Sequence, residues 1–445
     1  MGDAANGIFH PAMRCLQFDS MNHHPVSSLQ VCVLGAGIVG LATAWQLLQD
    51  GHRVTVVDSA QTGAGASGAN GAQLSYSYVQ PLADPSLWLQ LPKLLLAPDS
   101  PLKFRPQFDP HQWAWGLRFL AACRSSVSRR TTASLLTLAA ESRAGFEQLM
   151  AQEALDCDFS ATGKLVLYPD ALAFAAARRQ MELQRNLGAV QHALSPAEAV
   201  TIEPALALHA AHFTGAIHTP SECAADCFKV CRALQQLLEA RGVRFLFQTE
   251  VTRLLRQKKS IVAAQTRQGL IEADAFVVAL GAGSRRLASP LGLDVPVYPL
   301  KGYSITVQAS QAEGAAPRVN VTDAARKVVF ARIGDRLRVA GMAELVGHDR
   351  AIPAQRIESL VTSTRELFPQ AGDFDDVQPW AGLRPATPTG LPVLGRLRGS
   401  PDNLLFNTGH GALGFTLAFG SAQRVARALN EGFRPAAAGL AACTA

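Results

Sequence analysis

Residues 31–59, "VCVLGAGIVGLATAWQLLQDGHRVTVVDS", constrain the fold of this chain more than any other stretch. An apolar run at 30–34 ends at Gly35, a helical pattern runs from Ile38 to about Asp50, and Gly51 stops it. The next run, "HRVTVVD", is rich in β-branched residues and closes on Asp58. This spacing predicts strand, helix, strand. Gly35, Gly37 and Gly40 fall between the first strand and the helix as G-x-G-x-x-G. The first glycine permits a tight turn, the second lets a pyrophosphate approach, and the third lets the helix pack closely on the strand. With Ala36, Ile38 and Val39 they form a helix N-terminus whose unpaired N–H groups favour an anion. Asp58, followed by Ser59, ends the second strand eighteen residues after Gly40. A carboxylate there accepts hydrogen bonds from a ribose diol and repels a 2′-phosphate. NADP is thereby disfavoured, while FAD and NAD stay level.

Two further small-residue loops break that tie. "GAGASGANGAQLSYSY" occupies 63–78 and "NTGHGALGFT" occupies 407–416. Either alone reads equally well as an ordinary glycine-containing turn. Together they suit an extended FAD, whose ribityl and ring portions need backbone approach at several places, whereas one nucleotide needs one loop. A covalent cysteine link is not expected, since no cysteine lies between Cys231 and Cys443.

The 445-residue length suggests two lobes or domains, and 48% hydrophobic with 17% charged residues is ordinary for a globular enzyme. The net charge of +6 is scattered, which argues against nucleic acid as a partner. No run of about 18 apolar residues is present to span a bilayer. A basic surface leaves room for peripheral contact with an anionic membrane face. Eight cysteines without a CxxC pair fit a reducing, cytoplasmic setting. Cys223, Cys227 and Cys231 recur every four residues, as along one helical face; they read as buried core thiols, and no metal site is expected. Residues 1–29 lack an apolar signal core and read as a flexible extension, as does the tail at 436–445.

After Asp58 the βαβ rhythm is lost. Helices are expected in "HQWAWGLRFLAACRSS", "TTASLLTLAAESRAGFEQLMAQ" and "DALAFAAARRQMELQRNLG", and a strand in "TGKLVLYPD". A helix through "KVCRALQQLLEARG" leads to one strand, "VRFLFQTEVTRLL", and "AFVVALGAGS" then reads as a buried strand returning to the nucleotide domain. Alternating strands from about 294 to 380 suggest an antiparallel sheet in a second lobe. This assigns 30–80, 205–290 and 382–435 to a discontinuous nucleotide-binding domain, and 81–204 with 291–381 to a substrate domain.

"VCVLGAGIVGLATAWQLLQDGHRVTVVD", "NGAQLSYSYVQPLADPS", "PLKFRPQFDPHQWAWGLRFL", "VYPLKGYSITV", "GLRPATPTGLPVLG" and "NTGHGALGFTLAFGSAQ" together resemble the D-amino-acid oxidase-like superfamily of FAD-dependent oxidoreductases. More closely, they look like the bacterial D-amino-acid dehydrogenase small-subunit family. The resemblance spans roughly 30–430, although "ASGANG" is nearer to the amine-oxidase branch. It implies an α/β fold, α+β overall, in which a glutathione-reductase-type Rossmann FAD domain is interleaved with a mixed-sheet substrate domain. It also implies FAD contacts from Ser67, Asn70, Gly71, Gln73, Leu74, Ala279, Gly281 and Ala282, and an adenine contact from Val251. Gly409, Gly411, Leu413, Gly414 and Thr416 would lie under the flavin's pyrimidine edge, where a helix start stabilises negative charge.

Oxidation of an amino acid asks the protein to orient and desolvate its substrate while the flavin does the hard step. A substrate carboxylate calls for a bidentate partner, and "GLRP" offers Arg384, which the resemblance places in that role; pairing to a structural acid is the alternative. Tyr303, Tyr298, Tyr78 and His410 are further candidates, with core packing an equal reading for the tyrosines. Lys301 and Tyr303 share a strand face, so either both address the cavity or neither does. The resemblance implies oxidative deamination of a D-amino acid, with electrons passed to a quinone-type acceptor. An oxygen-using amine oxidase and a non-catalytic FAD subunit stay open beside it.

Overall fold

The computed structural model describes residues 28–79, 81–85, 102–185 and 188–432. Two sheets dominate it. The first has the strand order Val393–Gly395, Leu404–Thr408, Ala275–Val278, Gln30–Leu34, Arg53–Val57, Arg244–Leu246. All neighbours are parallel except the Val393–Gly395 edge. Gln30–Leu34 lies at the centre because both its faces are apolar: Val31 and Val33 enter one cluster, Cys32 and Leu34 another. Such two-sided burial is what a continuous apolar run supplies. Helices Ile38–Gln49, Cys227–Ala240 and Gly414–Gly432 cover one face. A small antiparallel sheet, Val251–Gln257, Ser260–Thr266 and Leu270–Glu272, flanks the other.

The second sheet has nine strands, in the order Gln378–Ala386, Tyr298–Gln308, Arg336–Leu345, Val328–Ile333, Asn320–Asp323, Lys164–Tyr168, Gly215–Thr219, His192–Leu194, with Leu102–Phe104 pairing beside Arg336–Leu345. It is mixed, since Asn320–Asp323 runs parallel to Lys164–Tyr168. Its outer face packs on helix Ala354–Leu367 through Leu360 and Leu367, and its inner face meets the loops of the first lobe. That helix lies inside the stretch expected to be all strand. Its buried positions 356, 360, 364 and 367 follow the helical period.

Several expected boundaries shift. "VRFLFQTEVTRLL" is two strands: the chain turns at 247–250, with Gln248 at φ 53°, so the first half edges the parallel sheet and the second opens the small one. Gly215–Thr219 falls in the expected nucleotide domain but pairs with Lys164–Tyr168 in the second sheet. Residue 382 lies inside strand Gln378–Ala386, which pairs along its length with Tyr298–Gln308. Helix Ser125–Gln152, expected in the substrate lobe, buries Leu135, Leu138 and Phe146 in the first core. Which lobe an amphipathic element covers depends on partners distant in sequence, and periodicity carries no signal for that. Cys223 sits on the short strand Cys223–Ala224 and only Cys227 and Cys231 are helical, so the three do not share a helix face. Among the described residues no group suited to a metal ion occurs, and no helix is long and apolar enough to cross a membrane. Residues 86–101, most of the 1–29 extension and the 436–445 tail lie outside the described residues.

Candidate active site

A cavity of about 1900 Å³ runs between the two lobes. Its nucleotide end is built where the first strand turns into the first helix. Gly35 has φ +117°, and a Cβ there would stand 2.4 Å from the Ala279 carbonyl oxygen. A Cβ on Gly40 would stand 1.9 Å from the Gly35 carbonyl oxygen. Only two glycines let the turn and the helix approach this closely. The Asp58 carboxylate accepts from the Ala36 N–H at 2.7 Å and the Ala60 N–H at 2.8 Å, which ties the second strand to the glycine turn. Each of its oxygens keeps a lone pair for a diol. Ser67 Oγ accepts from the Ile38 N–H at 3.0 Å, pinning the second glycine-rich loop to the helix start.

Gly35, Gly37, Ile38, Val39, Asp58, Ser59, Ser67, Asn70, Gly71, Gln73, Ala279, Gly281, Ala282, Gly411, Leu413, Gly414 and Thr416 line the cavity. Five expected cofactor residues do not. Ala36 and Leu74 are buried in the first core. Gly40 packs beneath Gly35, and Gly409 (φ +86°) turns against Thr387. Val251 enters the third cluster, while its neighbour Glu250 reaches the cavity. Helix Gly414–Gly432 follows a 3₁₀ turn, and its first residues border the cavity with the positive end of the helix dipole. A cavity lined by a glycine cradle, a diol-accepting carboxylate and the starts of two helices fits FAD.

Arg384 lies on strand Gln378–Ala386, directly opposite Leu300. Cross-strand partners share a face, so Tyr298, Leu300 and Gly302 sit on the same side of the sheet as Arg384. Its Nη1 donates to the Met342 carbonyl at 2.9 Å and its Nη2 to the Gly341 carbonyl at 3.5 Å. Those carbonyls are turned inward by a bulge: between Lys301 and Tyr303 the partner strand advances one residue too many, and Met342 takes φ 61°. The guanidinium is half-buried in the cavity wall and has no carboxylate partner among the described residues. Burial lowers it to about 10, which leaves it a cation at neutral pH. The rest of its donor fork is uncommitted.

The tyrosines divide by face. Tyr298 is buried on the Arg384 side between Trp115 and His111, with Asp109 and Gln112 beside it, yet its hydroxyl makes no hydrogen bond of good geometry. Burial and the Asp109 charge push that hydroxyl up to about 12. Tyr303 is on the other face. Its ring lies in the second core and its hydroxyl donates to Glu344 Oε2 at 2.7 Å, while Glu344 Oε1 pairs with Arg356 at 2.6 Å. Burial and that bond raise the phenol further. Lys301 follows it, with Nζ 3.7 Å from Asp349. Tyr303 also borders the cavity, but its hydroxyl is committed to Glu344. Tyr78 lines the cavity, with burial raising its phenol. His410 borders it too, but Nε2 sits 2.9 Å from Ser421 Oγ on the final helix, and burial lowers the imidazole to about 3. It is neutral at neutral pH and tied to the final helix. Lys164, which sequence reasoning passed over, also lines the cavity. The one available signal was a lysine opening the otherwise apolar run "KLVLY".

The protein-family model described as FAD dependent oxidoreductase matches residues 30–428. The chain is 49% identical to D-amino acid dehydrogenase 2 of Ralstonia nicotianae over 88% of this chain and 95% of the relative. It is 45% identical to D-amino acid dehydrogenase 2 of Pseudomonas aeruginosa, covering 90% and 95%. Among solved structures it resembles glycine oxidase from Geobacillus kaustophilus, with a TM-score of 0.72 at 22% identity over 91% of this chain and 95% of that one.

Proposed function

Because the chain belongs to the DAO family of FAD-dependent oxidoreductases, we propose that it deaminates D-amino acids oxidatively to 2-oxo acids and ammonia and delivers the electrons to a quinone-type acceptor. The observation that carries this reading is Arg384, a buried-side cation in the cavity wall with an uncommitted donor fork and no acidic partner among the described residues. A cation left unpaired in such a place costs stability unless a ligand neutralises it. An amino-acid carboxylate does so with two parallel hydrogen bonds. Its orientation then fixes the α-carbon, and the apolar wall of Leu300, Met342 and Ala386 excludes water around it. Tyr298 lies on the same face and borders the same cavity.

FAD, held by the Gly35 turn, Asp58, the 63–78 loop and the start of the final helix, supplies the acceptor for the α-hydrogen and its electron pair. A membrane quinone as final acceptor is supported by the helix Pro110–Ala122. It exposes Trp113 and Leu117 at 50% and 69%, next to a fully exposed Phe108. Such a face suits peripheral contact with the cytoplasmic side of a membrane.

The deciding experiment mixes the yellow protein anaerobically with a panel of D- and L-amino acids and follows flavin bleaching, then adds oxygen or a soluble quinone. Bleaching by D-amino acids and reoxidation by the quinone are expected. No bleaching by any amino acid sinks the reading, and fast reoxidation by oxygen alone replaces the quinone with dioxygen.

A further inference from the structure

The 63–78 loop leans on the inner face of the second sheet: a Cβ on Gly71 would stand 3.1 Å from Val329 Cγ2 and 3.7 Å from Ala340 Cβ. This is the face that carries Arg384, since Gly302, Ser304 and Thr306 follow one another at a spacing of two. Ser304 lies opposite Ala340 and Thr306 opposite Arg338, so all four side chains point the same way. The Ser304 hydroxyl donates to the Ala69 carbonyl at 2.6 Å. Arg338 donates through Nη1 to the Asn70 carbonyl at 2.9 Å and through Nε to Thr306 Oγ1 at 2.8 Å. Two successive carbonyls of the loop are thus turned into the sheet.

A trans peptide carries its C=O and its N–H on opposite edges. The same two bonds therefore turn the N–H groups of Asn70 and Gly71 away from the sheet, and both residues line the cavity. Among the described residues neither N–H has an acceptor. The next N–H is taken, because Ala72 donates to Asn70 Oδ1 at 3.0 Å and closes a turn that holds Ala72 at φ 59°. Left-handed backbone at a non-glycine residue persists where its surroundings fix it. Arg338 is 4% exposed, and these two bonds go to neutral oxygens rather than to a carboxylate. A guanidinium on a carbonyl oxygen draws density from that peptide and makes the N–H on its far edge a stronger donor. Arg336, two residues earlier on the same face, pairs instead with Asp158 and Asp226, both at 3.0 Å.

Ala340, against which Gly71 rests, precedes Gly341, whose carbonyl takes the second donor of Arg384. The two uncommitted N–H groups therefore belong to the part of the cavity beside that arginine, past Ser67 and the helix start that serves the pyrophosphate. The flavin ring has to meet the substrate there, so the ring rather than the nucleotide is within their reach. We propose that Arg338 and Ser304 are positioning residues for the flavin. They aim the N–H groups of Asn70 and Gly71 at a carbonyl oxygen of the ring, and Arg338, acting through the Asn70 peptide, strengthens that pairing as the ring gains negative charge on reduction. Placing the ring beside Arg384 rests on the amino-acid reading above; the effect of the donors on bound FAD needs no substrate.

The test follows the FAD equilibrium itself. The FAD-loaded enzyme is reduced slowly without oxygen beside a reference dye of known potential, and absorbance gives the ratio of reduced to oxidised flavin at a fixed dye ratio. Arg338→Gln keeps an amide donor for the Asn70 carbonyl but removes the charge, and its flavin ratio should fall roughly tenfold with FAD still bound. Ser304→Ala releases the Ala69 carbonyl and should lower the ratio roughly threefold. Arg338→Lys, which keeps the charge without the fork, should recover part of the loss. Arg336→Gln removes a charge from the same face but not from the loop, so it should lower the unfolding midpoint and leave the ratio in place. An unchanged ratio in both Arg338→Gln and Ser304→Ala, or an equal fall in Arg336→Gln, would overturn the assignment. Should Arg338→Gln fail to hold FAD, the ratio in Ser304→Ala decides alone. No amino acid enters this measurement, so its outcome and that of the bleaching panel are independent.

Discussion

The Arg384 guanidinium occupies the space that a side chain at Gly302 would fill: a Cβ on Gly302 would lie 2.2 Å from Arg384 Nη2. The glycine on one strand is what lets the arginine on the next lie flat against the sheet and face the cavity. Gly302→Ala must therefore displace the guanidinium. We expect kcat/KM for D-amino acids to fall at least tenfold with FAD affinity unchanged, measured by steady-state kinetics beside FAD titration of the apoprotein.

In the proposed reading, Arg384→Ala removes a charge-assisted pair to the substrate carboxylate. The expected loss is about 3 kcal/mol in kcat/KM, or about two orders of magnitude. Arg384→Lys should recover part of it, because a point charge replaces a bidentate fork. Unaltered turnover in the alanine variant would remove Arg384 from the site.

Tyr298 and Tyr303 should respond differently to loss of the hydroxyl. Tyr303→Phe leaves the buried Glu344 short of one donor while Arg356 still pairs with it. Thermal unfolding should show a loss of about 1 kcal/mol, with kinetics near wild type. Tyr298→Phe should instead lower kcat/KM, since Tyr298 borders the cavity on the Arg384 face.

Gly40→Ala brings a methyl group 1.9 Å from the Gly35 carbonyl, so the helix must move off the strand. The protein should purify with little bound FAD. Absorbance of the flavin per protein chain reports this directly.

His410 makes stability depend on pH. Its folded pKa of about 3 lies below the usual value of 6.5, so the unfolded chain binds the extra proton between the two. The contribution is complete above about 6.5 and is lost as pH falls toward 3, with a slope of at most about 1.4 kcal/mol per pH unit. Unfolding midpoints taken down this range should fall less steeply for His410→Gln than for the wild type.

The sequence by itself determined the nucleotide half of the protein. The Gly35–Gly37–Gly40 turn, the flanking strands and Asp58 are local in the chain, and steric limits on a tight turn and the periods of helix and strand are read locally too. Arg384 was also legible, through the motif around it. Only the tertiary structure decided which face of a strand looks into the cavity. Tyr298 and Tyr303 sit five residues apart on one strand, and pairing with Gln378–Ala386 turns the first toward Arg384 and the second toward Glu344. Burial and electrostatic partnership are properties of packed neighbours, and those neighbours are chosen by the sheet order rather than by the chain order.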